Sequence, residues 1–186
     1  MNILTTHVGS LPRPKEVSDL LFKRENNQEY DHKHFDDVIS NGVFEVVKKQ
    51  LDIGIDIISD GEMSKISYAT YVKDRYSGFA GDSERNPPQD LEKFPNYMKK
   101  IAASGGTPTY SRPCCVSEII PKDSNDLLND INNLKNSSQK LNHKNIFMNS
   151  ASPGVISLFL SNSFYPSRSK YSVSYTHLTL PTKCSV

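Results

Sequence analysis

Phe35, Val38, Ile39, Val43, Val46, Val47 and Leu51 recur at three- and four-residue steps, while Asp36, Asp37, Glu45, Lys48, Lys49 and Gln50 fall mostly on the opposite side. That spacing predicts an amphipathic helix over residues 32–51 with one buried face. Gly54 follows, and then Ile55, Asp56, Ile57 and Ile58 form a brief β-branched run with too little alternation for a half-exposed strand. Such a run is expected where helices cover both faces of a parallel sheet. Helix, glycine and buried strand make half of a βαβ unit, and the rest of the chain repeats the theme. Strands are predicted at residues 3–8, 55–59, 114–120 and 145–149, and helices at 15–23, 32–51, 126–134 and 155–161. The chain reads as α/β. Residues 76–108, rich in Gly, Pro, Ser and charge, read as a long excursion between the second and third strands.

Two strand ends carry the candidate chemistry. After Ile3 and Leu4 comes Thr5-Thr6-His7-Val8-Gly9-Ser10-Leu11-Pro12-Arg13-Pro14. Glycine and two prolines stop strand pairing there, because proline lacks a donor and fixes φ. The N–H groups of Gly9 and Ser10 and the Ser10 hydroxyl are then free at a strand's C-terminal end, where α/β folds hold ligands. The second strand ends in Ser59-Asp60-Gly61-Glu62, which puts two carboxylates at the corresponding place. The plainer reading of these acids is the capping of a following helix.

Val8-Gly9-Ser10-Leu11-Pro12, Asp60-Gly61-Glu62 and Met148-Asn149-Ser150-Ala151-Ser152-Pro153-Gly154-Val155 stand in an order that resembles the catalytic domain of cobalamin-independent methionine synthase, especially its short single-domain relatives. The resemblance implies a partial (β/α)8 TIM barrel, roughly the first four βα units, over residues 1–172. It implies a methyltransferase that moves a methyl group from 5-methyltetrahydrofolate to the zinc-held thiolate of homocysteine. Val8, Gly9 and Ser10 would bind the homocysteine backbone and Glu62 its amino group. Asp60 would support them, and His7, on the same turn, could touch substrate. Folate binding maps to Arg112, Pro113 and Cys114. The pterin-stacking tryptophan has no counterpart in a chain without tryptophan; Phe159 lies nearest, although Val155, Ile156, Leu158, Phe159 and Leu160 read first as a packed apolar cluster. Tyr68, Tyr71 and Tyr76 either line the pocket or pack at the surface.

The family's zinc ligands, His-x-Cys with a later Glu and Cys, find no match here, so no metal ligand and no protein nucleophile is assigned; the ligands are expected in a missing C-terminal half. Adjacent Cys114 and Cys115 suit neither one metal nor an unstrained disulfide. His32 and His34 read as solvated or capping residues, and His143 as a loop residue. Residues 173–186, from Val173-Ser174-Tyr175-Thr176-His177-Leu178 onward, resemble a translated sequencing adapter, a non-native tail that removes His177 and Cys184 from consideration. Met1 directly before the first strand suggests a single-domain form.

A net charge of +1 with interspersed signs gives no basic stripe for nucleic acid. No apolar run reaches the roughly twenty residues of a membrane span, and no signal peptide opens the chain. Three cysteines without paired spacing fit a reducing compartment, so a cytoplasmic enzyme is expected. A full barrel takes about 250 residues; half of one leaves open strand edges and is expected to aggregate and to lack activity. Alkyl transfer to another thiol such as coenzyme M, related chemistry on epoxides, and a non-catalytic module binding an amino acid or pterin are the alternatives.

Overall fold

The computed structural model describes residues 3–81, 83, 91–103 and 112–179. Helix α1 (Lys15–Glu25) follows Pro14 and buries Val17, Leu20 and Leu21. Helix α2 (His32–Asp52) is opened by Asp31, whose carboxylate accepts from the N–H groups of Lys33 at 2.9 Å and His34 at 3.2 Å, satisfying two of its orphan donors. Its ends fall within one residue of the predicted span. His32 and His34 lie in its first turn, and His34 Nε2 meets Glu16 Oε1 of α1 at 3.1 Å.

The face of α2 carrying Phe35, Ile39, Val43, Val46 and Val47 packs with Val17, Leu20 and Leu21 of α1 and with Ile58, Met63 and Leu134 in one apolar cluster. Leu134 belongs to α5 (Asn125–Lys140), which runs six residues past its predicted end. Asp130, Leu134, Ser137 and Ser138 form its buried stripe at helical spacing. Ser137 and Ser138 are small enough to pack closely, so polar residue types concealed the last turns of the helix in the sequence.

Three segments run parallel side by side. Ile57 N–H donates to Thr5 O at 3.0 Å, Ile58 N–H to Asn145 O at 3.1 Å, and Phe147 N–H to Ile58 O at 2.8 Å. The second predicted strand therefore lies between the first and the one read at 145–149. Asp56 clamps this arrangement, its Oδ2 accepting from Thr5 N–H and Thr5 Oγ, both at 2.8 Å. Those bonds hold its carboxyl below the ordinary carboxylate range. A depressed folded pKa means the clamp's contribution is complete above the unfolded value, about 3.9, and is lost as pH falls through the lowered folded value. Amide exchange at Thr5 and Ile57 should accelerate in that acid window, and Asp56→Asn should remove the pH dependence.

The strand read at 114–120 requires a correction. It contributes only β2 (Cys114–Cys115), which pairs antiparallel with β1 (Phe79–Ala80) and bridges to Asn162. Among the described residues, three parallel segments stand where four barrel strands were expected. The apolar run was real, but it faces a second cluster: Cys115 and Ile119 pack with Tyr71, Val72, Ala151, Ile156, Leu160 and Tyr171. Gly78, at φ +98°, permits this hairpin, because a Cβ there would sit 2.7 Å from Glu118 O.

Helix α3 (Val72–Arg75) follows the acidic strand end at a distance, and α4 (Pro95–Ala103) falls inside the stretch read as excursion. Helix α6 (Pro153–Phe159) is capped by Ser152, and α7 (Arg168–Thr179) crosses the 172/173 boundary. Cys184 lies outside the described residues. Tyr171 of α7 donates from its hydroxyl to Leu160 O at 2.9 Å. Along the first strand, Ile3, Leu4 and Val8 are exposed, Ile3 to 92 %. No helix among the described residues is long and apolar enough to cross a membrane.

Candidate functional site

The first two strand-end turns are stitched together by their backbones. Leu11 N–H donates to Gly61 O at 3.0 Å, and Gln50 of α2 grips the second strand end through Ser59, donating to its carbonyl at 2.8 Å and accepting from its N–H at 3.0 Å. Gly61 and Glu62 both take left-handed backbone, φ +59° and +55°. Glycine does so freely, and a Cβ on Gly61 would press against Leu11 at 3.1 Å. Glutamate does so at a cost of about 1–3 kcal/mol, tolerated where surroundings over-determine it, as functional sites often do.

Those surroundings are specific. Arg13 Nη2 donates to the carbonyls of Glu62 at 3.0 Å and Lys65 at 2.6 Å, while Asp60 Oδ1 accepts from Glu62 N–H at 3.1 Å. Asp60 Oδ2 is in turn paired with Lys65 Nζ at 3.2 Å, both side chains almost wholly buried. The two acids therefore do not cap a helix. Asp60 is a brace whose charge Lys65 neutralises, and Glu62 is the group it braces. Lys65 also lies 5.6 Å from the centre of the Tyr71 ring, and the Tyr71 hydroxyl meets Ser150 Oγ at 3.1 Å.

The Glu62 carboxylate, 1 % exposed, is approached from both sides. Ser10 Oγ donates to Oε2, and Asn149 Nδ2 donates to Oε1 at 2.7 Å. Both partners are neutral. Buried carboxylates are ordinarily paired with cations, and here the Arg13 guanidinium acts on Glu62 through its charge while its Nη2 hydrogen bonds go to backbone carbonyls. Burial pulls Arg13 below its ordinary pKa while Glu62 and Asp60 act to raise it. The structure thus brings Ser10, Glu62 and Asp60 together with the third motif, and adds Asn149, Arg13 and Lys65 to the residues singled out in the sequence. Asn149 stood in a recognised motif, and Arg13 and Lys65 stood within three residues of Ser10 and Glu62; proximity was the only signal.

The remaining candidates lie as follows. His7 is half-buried with Nε2 unpartnered, Val8 is exposed, and Gly9 takes φ +104°. Arg112, Pro113 and Cys114 lead into β2, where Arg112 O accepts from Ser83 N–H at 2.8 Å and Cys114 Sγ meets Ser163 Oγ at 3.0 Å. Tyr71 is core, and Tyr68 packs edge-on against Phe159 with ring centres 5.5 Å apart. Burial pushes the Cys115 thiol up to about 11, so it stays protonated. Among the described residues no three His, Cys, Asp or Glu side chains gather as metal ligands would. The described residues do not supply the donor set that a thiolate-binding zinc needs.

Residues 3–86, which include both strand-end turns, match the family model of the cobalamin-independent synthase catalytic domain. No curated protein matches the chain significantly. Among solved structures, a B12-independent methionine synthase from Shewanella sp. W3-18-1, in complex with selenomethionine, superposes with TM-score 0.62 at 17 % identity, covering 92 % of this chain and 44 % of that one. A protein described as a vitamin-B12-independent methionine synthase from Listeria monocytogenes superposes with TM-score 0.57 at 15 % identity, covering 95 % and 45 %. The chain thus spans less than half the length of either. The resemblance to this family is borne out on the matched residues, and the shared fold extends over most of the chain.

Proposed function

We propose that this chain supplies the amino-acid-holding part of a methyltransferase of the cobalamin-independent methionine synthase class, with homocysteine as acceptor and 5-methyltetrahydrofolate as donor. One observation supports this reading most strongly: a buried carboxylate, Glu62, held by two neutral donors and braced at its backbone, at the joined ends of parallel strands. Among the described residues no cation is hydrogen-bonded to this carboxylate, and the ammonium of an α-amino acid supplies one. The selenomethionine bound by the Shewanella protein is an amino acid of this kind. Ser10 is exposed and its hydroxyl covers Oε2, so in this reading the ligand's ammonium enters by displacing that hydroxyl. The Gly9 and Ser10 N–H groups and that hydroxyl then suit the ligand's own carboxylate, with His7 and Val8 beside them.

Holding the amino acid at both charged ends fixes where its sulfur points, which is the chain's share of an orientation-driven rate gain. The nucleophile in this reading is the substrate thiol. Arg112, Pro113 and Cys114 are assigned to the pterin side: neighbouring Cys115 packs in one cluster with Tyr71 and with Ala151, two residues after Asn149. Zinc belongs to the family's chemistry, and no step is routed through it here. Residues 1–172 form the barrel-type part and 173–186 an adapter-derived tail; Tyr171 is the last buried side chain among the described residues.

The coenzyme M alternative meets a physical objection. That thiol carries a sulfonate and no amine, so Glu62 would repel it. Calorimetric titration should show L-methionine and L-homocysteine binding competitively, with coenzyme M displacing neither. Displacement by coenzyme M at equal concentration would overturn the amino-acid assignment.

A further inference from the structure

Asn149 presents an acceptor with no donor. Its Nδ2 faces Glu62 Oε1 at 2.7 Å, which fixes the amide's orientation, since the reverse would set two oxygens against each other. Its Oδ1 is therefore directed elsewhere, and it is buried without a hydrogen-bond partner. An unsatisfied buried acceptor is costly, and native structures keep few of them. Lys65 Nζ donates to Asp60, and the Tyr71 and Ser150 hydroxyls share a hydrogen bond with each other. Because both polar atoms belong to one amide, Oδ1 lies a few ångströms from the Glu62 carboxylate. Two polar atoms of the turn that carries Ser10, His7 Nε2 and Arg13 Nε, are buried and unpartnered as well.

We infer that Asn149 reads the ligand: Oδ1 accepts one N–H of the ammonium whose charge Glu62 pairs. This deepens the amino-acid reading above and rests on it. A carboxylate and an amide oxygen side by side need two or more N–H bonds from a single nitrogen. The site therefore selects an α-amino acid with a primary ammonium and discriminates against the N-dialkylated acid, which keeps the charge but has one N–H.

The test is calorimetric titration of the intact chain and of Asn149→Ala with L-methionine, N,N-dimethyl-L-methionine and the des-amino acid 4-(methylthio)butanoate, with circular-dichroism melts as the folding control. The wild-type chain should bind methionine about tenfold more tightly than its dimethyl form, the size of one lost hydrogen bond to a charged group, and the des-amino acid more weakly still. Asn149→Ala should lose affinity for methionine by at least that tenfold, and its preference for methionine over the dimethyl form should fall toward one. If the wild type fails to prefer methionine over the des-amino acid, the Glu62 assignment falls and this inference with it. If that preference stands while Asn149→Ala binds methionine undiminished, only the inference falls. Should Asn149→Ala not fold, the wild-type comparison decides alone, equal affinity for methionine and its dimethyl form overturning the role of Oδ1.

Discussion

Glu62→Gln is expected to keep the fold and lose amino-acid binding by about 100-fold, the scale of removing one partner of a desolvated charge pair. Glutamine fits the same space. Its oxygen can go on accepting from Asn149 Nδ2, and its amide can donate to the Ser10 hydroxyl, so the two contacts that now hold the carboxylate survive with the side chain neutral. The backbone brace from Arg13 and Asp60 does not involve the side chain at all. A melting temperature near wild type together with loss of methionine binding in a titration is the predicted pair of results. Unchanged affinity would show that the carboxylate does not meet the ligand's charge. Glu62→Ala is a poorer probe, since it strands the Asn149 amide and leaves alanine at φ +55°.

Asp130→Ala should be the most destabilising single change, by about 3–5 kcal/mol, the cost of leaving a buried charge unpaired. Asp130 of α5 accepts from Arg75 of α3 and, at 2.5 Å, from the Ser64 hydroxyl just after the candidate site. Arg75 is mostly buried, with its guanidinium 4.7 Å from the Tyr71 ring centre. Arg24 adds a bond to Ser64 O at 2.9 Å, so the network ties α1, α3 and α5 to the loop after Glu62. Domains of this size are stable by only about 5–15 kcal/mol, and the loss would be a large fraction of that. Urea unfolding reads it directly. Replacing both partners, as in Arg75→Met with Asp130→Leu, should recover most of the stability, because well-packed apolar pairs often match buried ion pairs. If the double variant is no better than Asp130→Ala, the charge imbalance is not the cause.

The helices most legible in the sequence were those whose buried stripe is apolar. Phe35 to Leu51 displays a 3.6-residue rhythm that solvent alone enforces, and α2 follows it to within a residue. Helix α5 ran on because its stripe continues through Ser137 and Ser138, whose burial depends on a neighbouring helix that no local pattern reveals. The 114–120 run shows the converse failure: its apolar character announced burial correctly, but pairing partner and direction are long-range facts, and β2 pairs antiparallel with β1 and by a parallel bridge with Asn162 rather than with the three parallel segments.

By itself the sequence determined the α/β character, the helix over 32–51, the two turns that end their strands and the family resemblance, because each is written in neighbouring residues whose backbone preferences and solvent exposure are local. Only the tertiary structure decided that Asp60 braces the Glu62 backbone, that Asn149 from a segment 87 residues away joins Ser10 on the Glu62 carboxylate, and that Lys65 pairs with Asp60 rather than with Glu62. Hydrogen bonds and charge pairing act over ångströms in space with no regard to distance along the chain, so two carboxylates separated by one glycine can receive opposite roles from the strands and turns that fold around them.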